Sequence, residues 1–127
     1  YAYPHAKVRA MKGLLLQDAK YRDMLNADTF EQLFHILQTT PYAESFRGVA
    51  AVDLSQQAFT NLLYQNLFLD YHKTIRSVDK NARDFLIACY HKYELLNLKM
   101  ILRGIISHVP AEKIATLLLP TERYTLF

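Results

Sequence analysis

The chain has 127 residues, enough for one domain with a core, and its 51% hydrophobic and 21% charged composition excludes intrinsic disorder. Three glycines and four prolines are too few for a turn-rich β-sandwich or barrel. The single cysteine, Cys89, excludes an internal disulfide and points to a reducing compartment, and a net charge of +3 lacks the clustered excess of a dedicated nucleic-acid binder.

Residues 4–16 read as a first helix, with Pro4 tolerated in its first turn. Ala2, Ala6, Ala10 and Gly13 recur at spacings of four, four and three, a stripe of small side chains expected to let a neighbouring helix approach closely. Arg9 and Lys12, with Lys7 nearby, form a basic edge that is either simply solvated or a patch for an acidic partner or anionic lipid. Asp18 is the expected cap of a second, short helix with Tyr21, Met24 and Leu25 on its apolar side and an Asp18–Arg22 pair on its surface. Asp28 or Thr29 starts a third, in which Phe30, Leu33, Phe34 and Leu37 keep the helical period until Thr39-Thr40-Pro41 ends it. Residues 42–52, with Gly48 among them, read as a short helix followed by a loop.

Asp53 is the expected N-cap of a long helix reaching about Ser77, with Leu54, Ala58, Leu62, Leu67, Tyr71 and Ile75 along its apolar stripe. Asp79 restarts a helix that runs to about Ser107, with Phe85, Cys89, Tyr93, Leu96 and Met100 as its stripe. Two adjacent long helices joined by a tight turn make an αα-hairpin. Pro110 closes that unit, residues 111–118 form a further short helix, and Pro120 stops it. The chain starts at Tyr1 and ends on the apolar pair Leu126-Phe127, so we expect it to be a fragment that normally continues. The longest uncharged stretch, Leu54 to Leu69, carries seven polar side chains, so no membrane span is expected, and the N-terminus has no apolar signal core. Nothing alternates like a strand; the expected class is all-α, a helical repeat domain built around the long hairpin, with residues 1–127 as one domain.

The chemistry-bearing residue types form no constellation. His5, His35, His72, His91 and His108 never fall three or four apart, so no metal ligands are expected. Gly13, Gly48 and Gly104 are isolated, leaving no phosphate-cradling loop and no cofactor-binding residues. No Gly-x-Ser-x-Gly elbow or other nucleophile motif is present, Cys89 reads as a small core residue, and no catalytic residues are expected. Most of the aromatic residues fall on core stripes rather than on a base-stacking platform. Lys92, Lys99 and Arg103 share one face of the last long helix, which is either a solvated or ion-paired edge or the basic face of a nucleic-acid-binding helix.

The opening Tyr1-Ala2-Tyr3-Pro4-His5-Ala6-Lys7-Val8-Arg9-Ala10-Met11-Lys12 resembles the N-terminal helix of the C-subunit of archaeal and bacterial V/A-type rotary ATPases, the family of the eukaryotic d-subunit. Lys92-Tyr93-Glu94-Leu95-Leu96-Asn97-Leu98-Lys99-Met100-Ile101-Leu102-Arg103-Gly104 is similar to the same family's signature, Leu37-Gln38-Thr39-Thr40-Pro41-Tyr42 to its Leu-x-x-Thr-x-Tyr, and Leu117-Leu118-Leu119-Pro120 to the turn before its second repeat. Pro4 and Leu95-Leu96 depart from the family pattern without breaking a helix, and the chain covers about the first of the family's three repeats.

The resemblance implies a non-catalytic, all-α socket in the central stalk, coupling the rotor shaft to the membrane proteolipid ring during proton or sodium ion transport and ATP synthesis or hydrolysis. Its implied partners are the central shaft subunits and that ring, with no nucleic acid, no cofactor and no membrane span of its own. Its implied place is peripheral, at the cytoplasmic face of a membrane. The alternative is a helical interaction or nucleic-acid-binding domain unrelated to ATPases. Within the signature, Asn97 is a polar group embedded in an apolar run, expected to hydrogen-bond across helices and set their register. Arg103 either serves the helix C-terminus or, with Lys99, faces a neighbouring repeat or the shaft; Arg9, Lys12, Lys99 and Arg103 are the candidate interface residues.

Overall fold

Helix-forming and helix-stopping signals divide the chain into α1 (Ala2–Gly13), α2 (Asp18–Leu25), α3 (Phe30–Gln38), α4 (Gln56–Ile75), α5 (Lys80–Ile106) and α6 (Ala111–Leu117). Two short 3-10 helices, Pro41–Phe46 and Ala51–Asp53, lie between α3 and α4. The structure, a computed structural model, describes residues 2–121, and no strand occurs among them. The fold is all-α. The chain divides into two compact units, residues 1–66 and 67–127, the division falling within α4.

In the first unit α3 is the organising element. Thr29 opens it: its hydroxyl accepts the Gln32 amide at 3.2 Å, while the Gln32 side chain reaches back to accept the Asp28 amide at 2.8 Å. The first of these satisfies an amide that the first turn of a helix otherwise leaves unpaired, and the second ties down the residue before the cap. The helix buries Phe34 and Leu37, and Phe46 from the first 3-10 turn completes the core between them. Rings meet edge to face there, Phe34 on Phe46 at 5.1 Å and Phe30 on Phe59 at 5.2 Å, while Phe46 stacks on Phe59 at 5.8 Å. Thr40, the buried polar residue at the α3 exit, donates to the Leu37 carbonyl and accepts the Tyr42 amide, so the turn before Pro41 carries its own cap. Asp53 does not cap α4 as expected; it sits in the second 3-10 turn, and the Ser55 hydroxyl accepts the Ala58 amide at 3.1 Å instead. In α1 no residue is buried: Ala2, Ala6, Ala10 and Gly13 are exposed, and the small-residue stripe is not covered by another described element.

The second unit is built on aromatic contacts between the C-terminal part of α4 and the middle of α5. Phe68 meets Tyr90 at 5.3 Å and Tyr93 at 5.2 Å, Tyr71 meets the same two rings at 5.7 and 6.0 Å, and Tyr90 is fully buried. Such edge-to-face pairs add about 0.5–1.5 kcal/mol each beyond the area they bury. Asp79 caps α5, its carboxylate accepting the Ala82 amide at 3.0 Å. At the other end, the Val109 amide reaches back to the Gly104 carbonyl (2.9 Å) and the His108 amide to that of Ile105 (3.1 Å), with His108 at a φ of 53°. That pattern is a Schellman close carried by a histidine in the left-handed region, with Pro110 preventing continuation.

Candidate interface on helix α5

Long helices in which apolar residues occur nearly all the way round present a choice of inward face, and α5 resolves it in an unexpected register. Ile87 and Tyr90 are its buried residues, whereas Phe85 is 69% exposed and Leu96 39%, so the expected stripe through those two is displaced. The inward face continues through Tyr93, Asn97, Met100 and Gly104, which brings the polar and the smallest residue of the segment against neighbouring chain.

Both do specific things there. The Asn97 side-chain amide donates to the Leu119 carbonyl (2.9 Å) and to the Thr121 hydroxyl (3.1 Å), and its carbonyl accepts the Leu119 amide at 2.8 Å. Asn97 thus offers one backbone residue both halves of a peptide-like pairing, and it holds the segment after α6 rather than a facing helix. Gly104 lets α6 lie against α5: a Cβ built on it would come within 2.4 Å of Ile114 Cδ1 and 2.6 Å of Cγ1. Ile114 is the buried residue of α6.

The opposite side of α5 is apolar and open. Leu98 and Leu102 are each 50% exposed, Ile105 61% and Ile106 77%. Lys99 and Arg103 are exposed on the same side, with no ion pair among the described residues, and Arg103 stands in the last turn. Lys92 lies two turns before Lys99, its Nζ 5.8 Å from the Tyr93 ring centroid. The carboxylate of this stretch, Glu94, is held at 2.6 Å by His91 Nδ1. Arg9 and Lys12 are exposed on α1, in the first unit; Lys99 and Arg103 belong to the second. Sequence patterning singles out Asn97, which makes polar contacts here, but not Gly104 or the open apolar face, because both depend on which side of α5 is buried.

No group of three or more His, Cys, Asp or Glu side chains among the described residues is placed to hold a metal ion. Burial, reinforced by the neighbouring Tyr93 and Cys89, raises the Tyr71 phenol above its ordinary value. No helix among the described residues is long and apolar enough to cross a membrane.

The chain is 28% identical to the V-type ATP synthase C-subunit of Deinococcus radiodurans over 120 residues, covering 94% of this chain and 34% of that protein. It is 28% identical over 125 residues to the A-type ATP synthase C-subunit of Methanosarcina mazei, covering 98% of this chain and 34% of the relative. With the A-type ATP synthase C-subunit of Archaeoglobus fulgidus it shares 29% over 121 residues, 94% of this chain and 35% of the other. The chain therefore spans about a third of the length of these curated relatives. No solved structure matches it at a significant level. The model of the ATP synthase (C/AC39) subunit family matches residues 4–127, nearly the whole chain, and the chain belongs to that family.

Proposed function

We propose that this chain is the first helical repeat of a longer protein, and that this protein is the non-catalytic socket of the central stalk in a V/A-type rotary ATPase. In this reading it receives the rotor shaft, sits peripherally on the cytoplasmic face of the membrane proteolipid ring, and passes torque between them during proton or sodium ion transport. The observation that carries the reading is the family match over residues 4–127 together with relatives named as ATP synthase C-subunits. The physical form is in keeping with it. Torque transmission needs stiff elements with complementary surfaces rather than a nucleophile or a nucleotide loop. Here a 27-residue helix, capped at one end by Asp79 and at the other by the His108 close, carries an open apolar face edged by Lys99 and Arg103. Those two, with Arg9 and Lys12 on α1, are the residues we assign to contacts with neighbouring subunits.

The test is a coupling assay on the complete complex with and without the whole socket protein. We expect ATP hydrolysis by the headpiece to persist when it is absent, while ATP-driven ion pumping into vesicles is lost and returns when it is added back. Loss of hydrolysis itself would overturn the non-catalytic reading. Undiminished pumping without it would overturn the coupling role.

A further inference from the structure

Four of the exposed apolar residues on α5, Leu95, Leu98, Leu102 and Ile105, follow one another at intervals of three, four and three. That is the a and d pattern of a helix–helix seam, with Ile106 extending the open apolar surface beside it. Lys92 and Lys99 both fall at the adjoining e position of the same register, and Arg103 stands just outside it. At e positions charge selects the partner, because the side chain lies beside the partner's flank when the seam closes. We propose that this face of α5 docks an amphipathic helix whose own apolar seam is flanked by glutamate or aspartate.

Charge decides between this occupant and the others. A second copy of the chain would bring the same lysines, and its Glu94 is already engaged by His91 at 2.6 Å. An anionic bilayer would favour cations along both borders of an apolar face, whereas here Lys92, Lys99 and Arg103 line one border only. An acidic-flanked helix satisfies both the spacing of the seam and the one-sided charge. This pairing chemistry rests on the reading of α5 as an interface. Membership of a stalk is read separately, from the coupling assay, so either can fail while the other stands.

The test uses the chain with two labelled designed helices, identical in their leucine a and d positions, one with glutamate and one with lysine at e and g; like charges keep each from pairing with itself. Fluorescence anisotropy at low salt is expected to show the glutamate helix binding at least about tenfold tighter, with the ratio shrinking as salt is raised. The double variant Lys92→Glu with Lys99→Glu is expected to invert the preference. The double variant Leu98→Gln with Leu102→Gln is expected to abolish binding of both helices. All four positions are exposed, so each variant is expected to keep the parent helix content, which circular dichroism checks. Equal binding of the two helices, or binding of neither, overturns the proposal. So does concentration-dependent dimerisation lost in the leucine variant, which would assign the face to a second copy. Binding to phosphatidylglycerol vesicles lost in the same variant, without helix binding, would assign it to a membrane surface.

Discussion

Replacing Gly104 with alanine probes the contact between α5 and α6 at its tightest point. An added Cβ would meet Ile114 Cδ1 at 2.4 Å and Cγ1 at 2.6 Å, both well inside van der Waals contact, while Ile114 Cβ stays at 3.7 Å. Ile114 is buried and β-branched, so a helix leaves it one strongly preferred χ1 and little room to turn away. Overpacking of this kind costs about 1–3 kcal/mol. Alanine in place of glycine in a helix interior returns about 1 kcal/mol. The net expectation is a loss of up to about 2 kcal/mol for Gly104→Ala. Ile114→Ala removes both offending carbons, at a cost of its own of about 2–5 kcal/mol. In that background the clash is gone and only the helix propensity remains, so Gly104→Ala becomes stabilising by about 1 kcal/mol. Urea unfolding of the four proteins closes the cycle, and hydrogen exchange at the Ile114 amide reports whether α6 stays docked. The same sign for Gly104→Ala in both backgrounds would refute the packing argument.

Other substitutions address the remaining particulars. Asn97→Leu strips three hydrogen bonds from Leu119 and Thr121, and is expected to cost about 1–3 kcal/mol; Leu119 amide exchange should accelerate in it but stay slow in Asn97→Asp, which keeps the acceptor. His108→Gly relieves a side chain from a φ of 53° and is expected to stabilise by about 0.5–1 kcal/mol in urea melts; destabilisation would mean that the imidazole contributes more than the strain it bears. Burial and Tyr93 raise the Tyr71 phenol in the folded state. Its contribution is therefore full below about pH 10, the unfolded value, and lost as pH rises through the folded one. Melting temperature should fall less steeply above pH 10 in Tyr71→Phe than in the parent, and parallel curves would contradict the assignment.

The legibility of each helix in the sequence depends on how cleanly it separates its faces. In α3 Phe30, Leu33, Phe34 and Leu37 stand on one side with Thr29 before them, so period and cap agree and the structure follows them. In α5 leucine and isoleucine occur almost all round between Leu95 and Ile106, so periodicity offers several faces and cannot choose among them. The choice is made by groups that hydropathy does not weigh: Gly104 admits Ile114, and Asn97 pairs with Leu119, 22 residues away. Asp53 and Ser55 are both good capping residues two apart, and nothing local tells which one the helix will use. His108 gives no stop signal in the sequence because the left-handed position it fills usually belongs to glycine or asparagine. The candidate charges, Lys99 and Arg103, fall on one face from spacing alone, but that this face is also the open apolar one follows only from where α5 is buried.

The proposal that this chain belongs to a longer subunit of a rotary ATPase is tested most directly by an immunoblot of native membranes with an antibody raised against it. A band far heavier than a 127-residue chain, held on membranes and co-purifying with shaft and ring subunits, is the expected result. A band of the chain's own size, in the soluble fraction and without ATPase partners, would contradict it.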